Sequence, residues 1–416
     1  MALDTLLSIA DAVTRVLGDV RPLAAESMAL ADAQGRVLAE DIVSPITLPP
    51  WNNSAMDGYA VHAADLATLP VTFPVLETVR AGGTASQALP RGHAIRIMTG
   101  APVPDAADTV VRVEDTDGGV ERVEIRRDRD AGKNIRPRGE DIHAGQLVMP
   151  VGTTLGAAQL GVLASVGAAT VRVYRAPRVA ILSSGDELVS LDRFDDVLAG
   201  TRIVSSNSIT LHALVRAAGG VPVDLGIARD TPASLREHLA RATDCDLLIT
   251  SAGVSVGEHD FVREVLESLG AEMKFWRVRM RPGAPVAFGM LGSMPWLGLP
   301  GNPVSTMVTF ELFARPAIRR MRGHTRLFRR PVPVVMDEAV HTMAELTHFL
   351  RGTVRTEHDV RHARLTGPQS SGILTSMSLA NALIVVPAGI AGAAAGATLH
   401  ALLLDGDAEL LEQFAL

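Results

Sequence analysis

Cysteine is nearly absent from this 416-residue chain, and Cys245 stands alone. A lone thiol excludes an internal disulfide and any cysteine-built metal cluster. Placed just before the apolar run Leu247–Thr250, it reads as a buried structural thiol. Aromatic residues are scarce, at 4%, while Ala, Val, Leu and Gly are abundant. There is no basic excess: 39 Lys and Arg face 46 Asp and Glu, a formal net charge of -7. That balance argues against a general nucleic-acid binder. No apolar run reaches transmembrane length without a charge, Gly or Pro to break it. The first residues carry an early acid and no basic stretch, so they do not read as a signal peptide. The expectation is a cytoplasmic protein with neither membrane nor nucleic acid as partner. Moderate charge and 47% hydrophobic content exclude a disordered chain.

The length predicts two to four domains. Ile9, Val13, Val16 and Leu17 fall at helical spacing near the start. Residues 46–137 carry short β-like runs, "AIRIM" and "DTVVRVED" among them, broken by Gly and Pro. Residues 1–45 and 138–175 flank this stretch as one discontinuous domain. From Pro177 to about residue 326, strands such as "RVAILSS" and "CDLLIT" alternate with helices such as "NSITLHALVRAAGG" and "TPASLREHLARATD". Alternation of that kind predicts an open, mostly parallel sheet whose ligands lie beyond the carboxyl ends of its strands. Residues 327–416 return to short, evenly spaced strands, which predicts a small β-barrel or sandwich.

Three predicted strand ends carry unusual chemistry. "SSGDEL" holds Asp186 and Glu187. "SAGVSVGEHD" holds Gly253, Ser255 and Gly257, then Glu258 and Asp260. "GLPGNPVS" stiffens a turn with Pro300 and Pro303, places Asn302 to cap a helix, and offers the Ser305 hydroxyl. Small-residue loops and helix starts suit anions, whereas acids repel them. A hard cation such as Mg²⁺ lets both share one site, because it takes oxygen ligands from carboxylates and phosphates. Asp230 closes a further strand; the plainer reading of Asp230 and Asp260 is helix capping, and the sharper one is a hard-cation site. In "MKFWRVRMRPGAP", Arg277, Arg279 and Arg281 alternate with Val278 and Met280. On a strand, period two puts the three guanidinium groups on one face. They suit an oxyanion, or else protect a solvated sheet edge. Outside this region stand Asp57 in "NSAMDGYAV", Thr99 in "RIMTGAPVP", and Arg136 with Arg138, Glu140 and Asp141 in "NIRPRGEDI".

Taken together, "NSAMDGYA", "RIMTGAPVP", "NIRPRGEDI", "ILSSGDEL", "GVSVGEHD", "RPGAPVAFG" and "GLPGNPVS" resemble the molybdopterin molybdenumtransferase family, which includes MoeA and the gephyrin E-domain. The matches keep the family order and span nearly the whole chain. The resemblance implies an α/β multidomain fold in an elongated subunit. Its parts are a doubly wound α/β domain similar to the molybdopterin adenylyltransferases, a β-rich N-terminal insert and a C-terminal barrel. It implies a homodimer whose active site is shared between subunits, working downstream of a molybdopterin adenylyltransferase. The implied reaction is Mg²⁺-dependent insertion of molybdate into adenylyl-molybdopterin, with release of AMP.

Carried over by position, the family's catalytic residues fall on Asp57, Thr99, Asp141, Glu187, Asp230 and Asp260, with Glu187 and Asp260 as metal ligands. Substrate contacts fall on Arg136, Gly253, Ser255, Gly257, Arg277, Arg281, Pro300, Pro303 and Ser305. Arg351 in "FLRG" and Ser371 in "QSSGIL" match family anion contacts. The chain departs from the family's Lys-Pro-Gly-Lys-Pro pattern: it has Arg281 and Ala284 there, and Arg277 at a third lysine position. Arg retains the charge; Ala284 loses it. That leaves room for a paralog with a tungstate preference or lowered activity. An adenylyltransferase alone would need only the α/β part, and a non-catalytic scaffold would not need the acids.

Overall fold

The runs broken by Gly and Pro in the first third of the chain become a five-stranded sheet. In the computed structural model, which describes residues 6–127, 129–252 and 261–404, its strands are β1 (Gly58–Val61), β2 (Val71–Val79), β3 (Ala94–Ile97), β4 (Thr109–Arg112) and β5 (Arg122–Ile125). They lie in the order β4-β1-β3-β2-β5. Alternate residues face opposite ways, as the strand pleat dictates. Tyr59, Val61, Val111 and Val123 enter one core, and Ala60, Ile95, Ile97 and Val110 the other. Gly58 is required here: a Cβ at that position would stand 2.0 Å from the Val111 carbonyl oxygen across the β1–β4 pair. This sheet belongs to a compact unit formed by Ala29–Gln34 and Glu40–Val171.

A second unit comprises Met1–Met28, Gly35–Ala39 and Arg172–Leu416. Its central sheet uses β6 (Arg178–Ser184), β7 (Val221–Ala228), β8 (Leu247–Ser251), β9 (Ala271–Phe275), β10 (Ala287–Leu291) and β11 (Met294–Leu299). The order is β7-β6-β8-β11-β10-β9. The first four strands run parallel, and β10 and β9 pair antiparallel at one edge. Val179, Ile181, Leu247, Ile249 and Leu297 face helices Ile9–Asp19, Ser206–Ala217 and the helical stretch 303–321. Ala180, Leu182, Leu248 and Trp296 face helices Pro232–Leu239 and Phe261–Ser268. Burial on both sides explains why β8 reads as an unbroken apolar run.

The C-terminal strands β12 (Val332–Met336), β13 (Thr347–Glu357), β14 (Val360–Leu365), β15 (Ala382–Val386) and β16 (Thr398–Leu403) close into a barrel. Closure comes from the β13–β15 pairing, which joins the two ends of the order β13-β14-β12-β16-β15. After β15, Gly392–Ala393 pairs antiparallel with Val340–His341.

Two local expectations need correction, that of a strand running to Arg281 and that of an Asn302 cap. The run from Met273 to Arg281 is not one strand: β9 ends at Phe275, and Met280–Arg281 forms a separate two-residue strand on β13 of the barrel. The facing nonetheless alternates, with Val278 and Met280 buried and Arg277, Arg279 and Arg281 exposed. Helix Pro303–Thr309 passes through a π turn, Phe310–Ala314, before Arg315–Met321. Asn302 occupies the position ahead of that helix but makes no side-chain cap; its carbonyl instead accepts from the Thr306 hydroxyl and N–H.

Candidate active site

In the larger unit, the barrel and the α/β sheet enclose a cavity of about 830 Å³. Arg281, Pro300, Ser305, Arg351 and Ser371 all line it. Backbone pairing explains the convergence of residues so distant in sequence. Met280–Arg281 lies beside Thr347 and His348 of β13, which brings Arg281 to the strand that carries Arg351. The Val304 N–H donates to the Ser371 carbonyl at 3.2 Å, which brings the loop after β14 to the helix carrying Ser305. Among the described residues, no Asp or Glu lines this cavity.

Arg351 is 1% exposed. Its Nε donates to Ser376 Oγ at 3.1 Å, and its Nη2 to the carbonyls of Pro368 and Ser370 at 3.4 and 3.0 Å. Gln369 clamps the same residue, accepting from the Arg351 N–H and donating to its carbonyl. Arg351 therefore organises the 368–371 loop as well as lending charge to the cavity. Burial lowers its guanidinium below the ordinary arginine value. His348 is also buried, and its Nε2 accepts from the Met343 N–H at 3.2 Å. Burial first, and then the nearby Arg281, push its imidazole below the ordinary histidine value.

A second cavity of about 710 Å³ opens at the carboxyl ends of β6, β8 and β11. Glu187, Pro300, Asn302 and Pro303 line it, together with Ser251 and Asn207. Asn207 is 92% buried by difference from its 8% exposure. Its Nδ2 donates to Ser251 Oγ and to the Gly301 carbonyl, both at 2.7 Å. One side chain thus ties the end of β8 to the turn after β11. Sequence reasoning missed Asn207; its sole signal was its place at the start of a helix that follows a hydroxyl-rich run.

Asp186 and Asp230 hold each other at the mouths of β6 and β7. The Asp186 N–H donates to Asp230 Oδ2 at 3.3 Å, and the Asp230 N–H to Asp186 Oδ1 at 3.4 Å. Asp230 is not the cap of the helix that follows it; Thr231 is, accepting from the Ser234 N–H. Glu187 is exposed in the same loop. Gly253, Ser255, Gly257, Glu258 and Asp260 lie outside the described residues. Arg277 is exposed and is not among the residues lining either cavity.

In the smaller unit, three motifs meet through backbone pairing. Asn53–Ser54 forms a short ladder with Ile135–Arg136, and the Ser54 N–H donates to the Ala101 carbonyl. The Thr99 N–H and Oγ1 both donate to Asp57 Oδ1 at 2.7 Å. These bonds, the backbone one first, hold the Asp57 carboxyl below its ordinary range. Arg136 and Asp141 are exposed. The Asp141 N–H donates to the Leu48 carbonyl.

Three family models cover most of the chain. Residues 7–167 match the MoeA N-terminal region, domains I and II; residues 180–320 match a probable molybdopterin binding domain; residues 333–404 match the MoeA C-terminal region, domain IV. The molybdopterin molybdenumtransferase 2 of Mycobacterium tuberculosis is 38% identical over 398 residues, covering 93% of this chain and 96% of that protein. This chain belongs to the molybdopterin molybdenumtransferase family. The molybdopterin molybdenumtransferase of Nostoc sp. is 38% identical over 367 residues, covering 86% of this chain and 84% of its own. A solved structure described as the molybdopterin biosynthesis moeA protein of Pyrococcus horikoshii superposes with a TM-score of 0.82 at 28% identity, covering 96% of this chain and all of that one. Family membership makes the chain a transferase. Among the described residues no helix is long and apolar enough to cross a membrane.

Proposed function

We propose that this protein inserts molybdenum from molybdate into adenylyl-molybdopterin and releases AMP. The observation that carries the reading is the cavity lined by Arg281, Ser305, Arg351 and Ser371, with no Asp or Glu among its described lining residues. Guanidinium and hydroxyl donors without a competing carboxylate suit a tetrahedral dianion. The adjoining cavity, with Glu187 and the stiff Pro300–Pro303 turn, suits the phosphate-bearing partner. In the reaction, an oxygen of water or molybdate attacks phosphorus, the phosphoanhydride P–O bond breaks, and AMP leaves with the bond electrons. Mo–S bonds then form to the dithiolene sulfurs as molybdate oxygens depart as water. Arg281 and Arg351 hold the oxyanion; the proline turn fixes its approach.

Mg²⁺ belongs to this proposal. Among the described residues, no group of three His, Cys, Asp or Glu side chains could hold a metal. Mg²⁺ needs no such group, since it binds through one or two carboxylates and completes its shell with water and phosphate oxygens. Glu187, exposed at the mouth of β6, is a carboxylate of the kind such an ion takes, so the residue chemistry fits. With Asp260, Glu187 would hold the ion, which would neutralise charge on the phosphoryl oxygens. The proposal includes a cytoplasmic homodimer with a shared site, to which Asp57 of the partner subunit and Thr99 of the partner subunit contribute. Arg136 and Asp141 are assigned to substrate and catalysis on the same footing. A variant with lowered molybdate affinity or a tungstate preference is the second reading, favoured by the uncharged Ala284 in the cavity wall. Molybdopterin metallation by Asp230→Asn tests the main reading: activity should fall about a hundredfold or more, and unchanged metallation would remove Asp230 from the mechanism.

A further inference from the structure

Arg281 is held by a sulfur. Its Nη1 donates to Met343 Sδ at 3.2 Å, and both residues line the cavity that the barrel and the α/β sheet enclose. A thioether is a weak acceptor, and an anionic oxygen a strong one. Arg351, by contrast, is bonded to Ser376 Oγ and to two backbone carbonyls. Among the described residues, the sulfur is the one hydrogen-bond partner of the Arg281 side chain. Met343 is anchored on both sides of its Cα. Its N–H donates to His348 Nε2 at 3.2 Å, and its carbonyl accepts from the Leu346 N–H at 3.4 Å. It is also 48% exposed, the one exposed methionine among the described residues. Met28 makes a similar contact, accepting from Arg36 Nη1 at 3.3 Å. Met28 is half-buried, however, and Arg36 also has Glu26 and the Tyr174 carbonyl as partners.

We propose that Met343 is a site of reversible oxidation by peroxides, and that its sulfoxide engages Arg281 and lowers the protein's affinity for a tetrahedral oxyanion. The effect on affinity rests on the reading of the cavity as an oxyanion site. Hydrogen peroxide is the oxidant. A sulfur lone pair attacks one peroxide oxygen, and the S–O bond forms as the O–O bond breaks. The other oxygen leaves with the bond electrons and takes up the proton of the first, so water departs. Sulfur loses two electrons and peroxide gains them. The product is a polar sulfoxide in place of an apolar thioether. Its oxygen accepts from a guanidinium far more strongly than sulfur does, and it stands one bond from the atom that Arg281 already contacts. In the reduced protein, the weak sulfur contact gives way to an oxyanion. In the oxidised protein, the sulfoxide competes with the oxyanion for the same N–H groups. Methionine sulfoxide reductases reverse the step.

The test treats the full chain with dilute hydrogen peroxide, locates the added oxygen by peptide mass, and titrates molybdate calorimetrically before and after. Met343 should gain an oxygen ahead of every other methionine in residues 6–404, and molybdate affinity should fall about tenfold. Methionine sulfoxide reductase should reverse both changes. Met343→Leu keeps an apolar side chain of similar volume, and its molybdate affinity should be the same with and without peroxide. Oxidation of a buried methionine ahead of Met343 overturns the proposal. So does an unchanged affinity once Met343 carries the oxygen, and so does a peroxide-induced loss that persists in Met343→Leu. Each of these leaves the cavity an oxyanion site. Absence of molybdate binding by the untreated protein removes the oxyanion reading itself, and the effect on affinity with it. The reductase measurement needs no variant, so it decides even if Met343→Leu fails to fold.

Discussion

Asp57 and Thr99 lie 42 residues apart in sequence yet share two hydrogen bonds of 2.7 Å. Both residues were legible as site candidates through their motifs; their contact was not, because it depends on the β1–β3 pairing. Replacing Thr99 with Val removes the hydroxyl bond and leaves the backbone N–H bond. The Asp57 carboxyl should then titrate nearer its ordinary value of 3.8, which an NMR pH titration of its carboxyl carbon would follow. The sign is that of a lowered acid: its contribution to stability is present above the ordinary carboxyl range and is lost as acidification passes through the lowered value. Arg351 shows the opposite limit of sequence reading. The motif marked it as an anion contact, whereas its bonds to Ser376, Pro368 and Ser370 follow from burial that no local pattern reveals. Arg351→Met should cost at least about 2 kcal/mol in denaturant unfolding of the barrel, besides weakening oxyanion binding. A variant as stable as wild type would contradict the organising role given to this side chain.

At the scale of elements, periodicity carried most of the information. The α/β alternation was readable because each strand is short and apolar and each helix is punctuated by Gly, Thr or Pro. Thr231 caps the helix Pro232–Leu239 through the Ser234 N–H. Thr231→Ala should destabilise the protein by about 1 kcal/mol, seen as a shifted urea midpoint with unchanged slope. The segment 271–281 misled for a physical reason. Burial alternates like a strand's only from Trp276 to Arg281, and two partners share the segment: β10 takes residues to Phe275, and β13 takes Met280–Arg281. Alternation reports facing, not which sheet does the pairing. Asn302 misled for a related reason. Residue type and position both suit a cap, yet its carbonyl makes the described bonds to Thr306 while its side chain makes no cap bond.

At the scale of the whole molecule, the doubly wound sheet and the closed barrel were both expected, and both are present. What the sequence could not supply was the meeting of the barrel with the α/β sheet around one cavity. That arrangement depends on pairings between residues far apart in the chain, such as Val304 with Ser371. Nor could it reveal that no Asp or Glu stands among the described residues lining the cavity, which requires knowing its walls together. The central claim is a coupled reaction, in which the nucleotide is released because molybdenum is being inserted. It is tested most directly by incubating the protein with adenylyl-molybdopterin and Mg²⁺ and measuring AMP with and without molybdate. The account predicts AMP release that depends on molybdate and falls sharply in the Glu187→Gln variant. AMP release at the same rate without molybdate, or none with it, would contradict the account.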